Sequence, residues 1–385
     1  MELKIFFDKV NEQLYENIRD NSSFFHHIVV HADKFPDWQS ANIALVGLVE
    51  ERGNPANVGC KEAADKIRHQ LYRLKRNTSP TSIVDLGNLR NGPSLQDTYL
   101  RVKEIGELLI EKGLLVVLLG GTHDLDFGQY LAYEKAGKMV SVVNVDALVD
   151  ILPDTTKGHS VGHLHEIISH EPNYLFHLCH LANQSFLNDP AISDIIEKLH
   201  FEMIRLGQLR ENFTEVEPLL RQADMLSFDL SALKKTDAPG NALSNVFGLT
   251  GEEACQMAWY AGASDKLSSA GFFEFNPRFD VEERTAFVTA TMVWYLVEGF
   301  AQRRGEFPFD SQHFIRYMVG IGKGTDDILV FYKSKRSEKW WMEVPYFSQQ
   351  QENNVAMIPC CYADYECALN GELPDRWVLM HHKLF

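Results

Sequence analysis

The sequence predicts an α/β fold: a three-layer αβα sandwich on a mainly parallel, eight-stranded sheet, with a small C-terminal appendage. Three observations predict it. Eight short runs are apolar without polar alternation, the pattern of strands covered on both faces. Helical stretches separate most of them, which implies right-handed crossovers and helices on both sides of the sheet. The unusual polar residues fall where several of these runs end, and in such sheets chemistry gathers at the carboxyl ends of the strands.

The expected strands are Asn42–Val49, Ser82–Leu86, Leu114–Gly120, Met139–Asp146, Asn173–Cys179, Glu202–Leu206, Asp224–Asp229 and Ser268–Phe275. Each is rich in Val, Ile, Leu or Phe. The expected helices are Lys61–Lys75, Leu95–Lys112, Leu125–Ala136, Glu211–Gln222, Gly251–Ala263 and Val281–Arg303. Residues 1–40 read as an amphipathic helical extension with a connector, and 41–305 as the αβα domain. From about Glu306 the character changes. Asp327–Tyr332 and Lys339–Val344 read as a hairpin carrying Trp340 and Trp341, and 306–385 as an appendage packed on the core. The two tryptophans are expected in that packing rather than in a ligand platform.

A chain of 385 residues can bury a sizeable core. Its formal charge of −16 argues against nucleic acid as a partner, because phosphate binding needs a basic face. No signal segment is read at Met1–Phe7, and the uncharged stretch Thr285–Val297 is too short to span a bilayer. Six cysteines without a CxxC pair suit free thiols, so a cytoplasmic location without membrane attachment is expected.

Four strand ends carry groups that could converge. One ends in Gly120-Gly121-Thr122-His123-Asp124, where paired glycines allow a tight turn that places His123 at the rim. The others end in Asp146-Ala147-Leu148-Val149-Asp150, Asp229-Leu230-Ser231 and Glu274-Phe275-Asn276-Pro277. Clustered carboxylates repel one another and resist desolvation, so a bound cation is their natural compensation. Carboxylates with an imidazole suit a divalent ion such as Mn²⁺. Asp124 and Asp126 read as caps of the helix beginning near Leu125.

These motifs resemble those of the ureohydrolases: arginase, agmatinase and formimidoylglutamase. That family's metal motifs run Gly-Gly-x-His, Asp-Ala-His-x-Asp and Ser-x-Asp-x-Asp. Here they stand as Gly120-Gly121-Thr122-His123, Asp146-Ala147-Leu148-Val149-Asp150 and Ser227-Phe228-Asp229-Leu230-Ser231. Further resemblance lies in Gly59–Arg68, Gly162-His163-Leu164-His165, Thr236-Asp237-Ala238-Pro239-Gly240 with Gly248-Leu249-Thr250, and Glu274-Phe275-Asn276-Pro277. It covers about residues 40–305.

The resemblance implies a first metal held by His123, Asp146, Asp150 and Asp229. The second metal would share Asp146 and Asp229 and add the positions held here by Leu148 and Ser231, neither of which replaces the family's ligand. One Mn²⁺ is therefore expected. Asp150 and His165 are implied as catalytic groups, His165 as the proton shuttle, while Glu274 and His163 are implied at the substrate. His159 and His163 are also candidates to replace the missing imidazole. The implied activity is C–N hydrolysis of a small cationic or linear amidine substrate of the formimidoylglutamate, agmatine or arginine type, and a homo-oligomer is compatible with the family. A second reading stays open: a non-catalytic descendant acting as a metal-, ligand- or protein-binding module.

Overall fold

A computed structural model describes residues 3–76, 80–151, 158–321, 328–348 and 351–384. In chain order the elements are β1 (Phe7–Asp8), β2 (Val29–Val30), β3 (Ile43–Leu48), α1 (Ala63–Leu71), β4 (Ile83–Leu89), α2 (Leu95–Glu111), β5 (Leu115–Leu119), α3 (Leu125–Leu131) and β6 (Val140–Val145). Then come α4 (His163–Ser169), β7 (Leu175–Asn183), α5 (Pro190–Lys198), β8 (Glu202–Arg205), α6 (Leu206–Glu211), α7 (Val216–Gln222), β9 (Met225–Asp229), α8 (Gly251–Gly262), β10 (Ser269–Phe273) and α9 (Arg284–Phe300). The C-terminal part holds β11 (Phe314–Gly320), β12 (Ile328–Ser334), β13 (Trp340–Ser348), β14 (Gln351–Cys360), α10 (Tyr362–Leu369) and α11 (Asp375–Leu384).

The main sheet runs β1-β4-β3-β5-β10-β9-β6-β7-β8, with β2 also on β4. The eight strands from β4 to β8 pair in parallel. The sheet has ten strands rather than eight because β1 and β2 add to the outer edge of β4, antiparallel and parallel respectively. Covering that edge removes a row of unpaired backbone groups. One apolar cluster joins the sheet to α1, α6, α7, α8 and α9. A second joins it to α2, α3, α4 and α5 on the other face. Residues Ile43–Leu48 and Leu115–Leu119 are buried throughout, which explains why their sequences do not alternate.

Three sequence expectations are corrected. Among the described residues 3–40 there is no amphipathic helix. Single 3₁₀ turns at Leu3–Phe6, Glu12–Leu14 and Phe24–His27 accompany β1 and β2. Asn11 and Asp20 accept from the backbone N–H groups of Gln13 and Ser22, which favours turns over helix. The helix expected over Glu211–Gln222 is split. Pro218 lacks the N–H that a continuous helix would need, so α7 begins at Val216 with Pro218 in its first turn. Finally, α4 and α5 occupy segments where no helix was expected. Asp189 caps α5 and Pro190 stands at its first position, a start signal present in the sequence.

The appendage is a four-stranded antiparallel sheet, β11-β12-β13-β14, with α10 and α11 on it. The expected hairpin is β12–β13, although Asp327 lies outside the described residues. Trp340 and Trp341 are buried in it. It docks at the amino-terminal ends of β9 and β10. Arg221, just before β9, donates to the carbonyls of Trp340 and Cys360 at 3.0 Å each, and its guanidinium lies 4.1 Å from the Trp341 ring centre.

Candidate metal centre

The order of the sheet creates the site. β5, β10, β9 and β6 are consecutive neighbours, although far apart in sequence. Their carboxyl ends carry His123, Glu274, Asp229 and Asp146. In the sheet β10 and β9 lie between β5 and β6, and the helices that follow them, α9 and α8, lie on the opposite face from α3 and α4, the kind of switch point where α/β sheets bind ligands. Gly120 and Gly121 adopt φ of +81° and +79°, so the turn after β5 uses backbone that favours glycine. A Cβ on Gly121 would lie 2.4 Å from Leu125 Cδ1.

The side chains of His123, Asp146, Asp150 and His163 each offer a ligand atom, all within 4.8 Å of one another. Three of the four expected ligands are thus brought together. Asp229 lies outside this group, although its Oδ2 is 3.2 Å from His123 Nδ1. His163 enters instead, its ring centre 4.0 Å from that of His123. His165 is exposed on the first turn of α4 and is not part of the group, nor is His159.

Three buried atoms of the group, His123 Nδ1, Asp146 Oδ2 and His163 Nε2, make no well-formed hydrogen bond, His123 Nδ1 lying 3.4 Å from Asp146 Oδ2 and 3.2 Å from Asp229 Oδ2. Their residues are no more than 1% exposed. Unpaired buried polar atoms are costly, so their convergence fits a cation. Imidazole and carboxylate donors together suit a first-row divalent ion.

The outer hydrogen bonds are equally specific. His163 Nδ1 lies 2.8 Å from Asp126 Oδ2, and His123 Nε2 lies 2.8 Å from Ser227 Oγ. Ser227 Oγ donates to the same Asp126 oxygen at 2.9 Å. The expectation that Asp124 and Asp126 cap α3 is therefore corrected. The α3 N-cap has no side-chain cap bond. Asp124 instead accepts from the Tyr99 hydroxyl and lies 2.9 Å from Ser160 Oγ. Every residue of α3 is buried, so an aspartate there had to find a partner, which was the available signal.

Glu274, with φ of +65°, is 2% exposed and is not part of the group. Its Oε1 accepts from the His123 backbone N–H at 2.9 Å, and its Oε2 from Asn57 and Asn54 at 2.7 and 3.0 Å. Burial, with the nearby Asp229 charge, pushes its pKa up to about 7. Burial and then Asp146 push the Asp150 carboxyl well up, and burial and Asp146 raise Asp229. Burial opposes charge on His123, but its contacts with Asp146 and Asp229 win, holding its pKa well above the usual histidine range. A ligating imidazole nitrogen must be unprotonated, so an ion held here would have to bind the neutral form of His123.

The sequence profile of the arginase family matches residues 41–298. The chain belongs to the arginase family. Formimidoylglutamase from Staphylococcus haemolyticus (strain JCSC1435) is 23% identical over 268 residues, covering 66% of this chain and 85% of that protein. Formimidoylglutamase from Staphylococcus aureus (strain MRSA252) is 24% identical, covering 67% of this chain and 86% of the relative. Among solved structures, Trypanosoma cruzi formiminoglutamase with Mn²⁺ matches with TM-score 0.65 at 22% identity, covering 71% of this chain and 97% of that one. Arginase from Bacillus caldovelox matches with TM-score 0.57 at 19% identity, covering 66% and 98%. These structures share the arginase-family fold. The C-terminal sheet, which begins at Phe314, lies beyond the residues that the family profile matches. Among the described residues no helix is long and apolar enough to cross a membrane.

Proposed function

We propose that this arginase-family protein is a metal-dependent hydrolase that cleaves a C–N bond of a small linear amidine, a formimidoyl amino acid such as formimidoylglutamate being favoured over agmatine or arginine. The formimidoylglutamases among its relatives support the substrate class, and the Mn²⁺-containing T. cruzi protein supports manganese as the ion. The observation that carries the reading is the buried donor group at the rim, with its three atoms that make no well-formed hydrogen bond. A bound divalent ion supplies a Lewis acid that lowers the pKa of coordinated water.

His123, Asp146 and Asp150 hold the ion, with Asp229 alongside. The reading gives one ion per chain, and hydrogen bonds support that number. Asp146 Oδ1 accepts from Leu148 N and Ser231 Oγ, both at 3.0 Å. Asp229 Oδ1 accepts from Ser231 N at 2.6 Å and faces Asn241 Nδ2 at 3.4 Å. A second ion would compete with these donors for the same oxygens, and Leu148 offers it no ligand. His165, exposed on the first turn of α4, is the residue we assign to move a proton to the leaving amine. Glu274 positions the His123 backbone and the Asn54–Asn57 loop through its hydrogen bonds.

The test is to load the protein with Mn²⁺ and supply formimidoylglutamate, agmatine and arginine separately, following formamide or urea. Formamide release from formimidoylglutamate is expected. Stoichiometric Mn²⁺ without turnover of any of the three would refute the catalytic reading. The losses at Leu148 and Ser231 favour that second, non-catalytic reading.

A further inference from the structure

We infer that His163, rather than Asp229, is the fourth protein ligand of the ion, a second imidazole supplied from α4 beside that of His123. The inference rests on the one-ion reading above. Its geometric basis is the group itself: His163 offers a ring nitrogen that lies with donor atoms of His123, Asp146 and Asp150 all within 4.8 Å of one another, its Nε2 3.9 Å from Asp150 Oδ2, whereas Asp229, although 3.2 Å from His123 Nδ1, is not one of that set of four. An ion at about 2.0–2.2 Å from each donor holds them at most about 4.4 Å apart, so the site needs to close by only a few tenths of an ångström.

Asp126 prepares both imidazoles. A carboxylate only accepts, so its Oδ2 takes the His163 Nδ1 proton and the Ser227 hydroxyl proton. Ser227, having donated, accepts from His123 Nε2. That leaves His123 Nδ1 and His163 Nε2 as the lone-pair nitrogens, and these are the two ring atoms of the group that make no well-formed hydrogen bond. One buried carboxylate thus fixes two ligand tautomers, the role outer hydrogen bonds play around ligating histidines. His163 and Asp126 are both fully buried, so neither needs solvent to explain its arrangement. The backbone supports the placement: Leu164 N donates to Asp150 O at 3.1 Å, tying the start of α4 to the loop that carries a ligand. Two neutral imidazoles and two carboxylates balance a divalent charge, and the second nitrogen donor favours Co²⁺ and Zn²⁺ over Mn²⁺ more than a three-carboxylate set would.

The experiment is Mn²⁺ titration of the full chain, with free Mn²⁺ counted by electron paramagnetic resonance, on the unaltered protein and on His163→Gln, Asp229→Asn, Asp126→Asn and Asp146→Ala. His163→Gln is expected to weaken Mn²⁺ more than about 100-fold, beyond the roughly 10- to 100-fold of an outer partner such as Asp126. Asp229→Asn is expected to weaken it less than His163→Gln does, and His163→Gln to narrow the preference for Co²⁺ over Mn²⁺. Equal or reversed order between His163→Gln and Asp229→Asn overturns the inference while leaving the one-ion reading intact. Should His163→Gln fail to fold, His163→Gly with added imidazole replaces it. Restored Mn²⁺ binding supports the inference, and no rescue in a folded protein overturns it. Absence of Mn²⁺ binding in the unaltered protein, or binding unaffected by Asp146→Ala, removes the metal-centre reading itself.

Discussion

Ser231 occupies the space where a second carboxylate would stand, and it has been put to another use. Its hydroxyl and its N–H each satisfy an aspartate, Asp146 and Asp229, that would otherwise bridge two ions. Restoring ligands at both changed positions tests the point. Leu148→His with Ser231→Asp is expected to raise bound Mn²⁺ from one to two equivalents per chain, measured by elemental analysis after dialysis. A stoichiometry that stays at one means that the space has closed. At this scale the sequence was partly legible. The motifs pointed to His123, Asp146 and Asp150, and the fold brings these three together. His163 stood only as one of several candidates, because a histidine in a loop gives no sign of which residue fixes its ring. Asp126 was misread because Thr122-His123-Asp124-Leu125-Asp126 has the composition of a helix start. Only the arrival of Ser227 and His163 from distant parts of the chain reveals its use.

Among the elements, the turn after β5 and the docking of α1 are the most exposed to change. Gly121→Ala forces a side chain into left-handed backbone and against Leu125. It is expected to cost about 2–3 kcal/mol of stability and to weaken metal binding by shifting His123, both read by chemical unfolding and Mn²⁺ titration. On α1, the buried Arg68 donates to both oxygens of Asp85 on β4 at 2.8 Å, and Tyr72 donates to the same carboxylate. Asp85→Ala removes the buried carboxylate that engages that guanidinium twice, leaving it the partly exposed Asp65 at 3.3 Å as ion partner, and is expected to cost about 3–5 kcal/mol in unfolding experiments. The central strands were legible because both faces of the sheet are covered. The two-residue strands were not, since two residues carry no period. The broken helix before β9 was legible in principle, because Pro218 marks the break. The N-terminal segment misled because its apolar residues are spaced for a helix but are spent on separate contacts: Phe7 and Leu3 join one core cluster, and Val10 another.

For the molecule as a whole, the appendage is joined to the family domain through a polar hub as well as an apolar one. Arg221 reaches the carbonyls of the cross-strand pair Trp340 and Cys360, stacks on Trp341 and pairs with Glu217 at 3.1 Å. Arg221→Ala is expected to destabilise the protein by about 2–4 kcal/mol and to loosen the four-stranded sheet before the main one, seen as early amide exchange in β13 and β14. A cavity of about 260 Å³ lies at this junction, lined by Arg221, Lys266, Glu306 and Trp341 among others. It sits at the amino-terminal ends of the strands, whereas the metal group sits at their carboxyl ends. The appendage's hairpin was legible from its sequence, but its docking face was not, because an arginine near the end of a helix looks like an ordinary solvated charge. The two ends of the sheet therefore face opposite directions. Immobilising the protein through α11, on a resin or a sensor chip, leaves the ion-binding mouth pointing into bulk solution, free to exchange ions and small molecules with it.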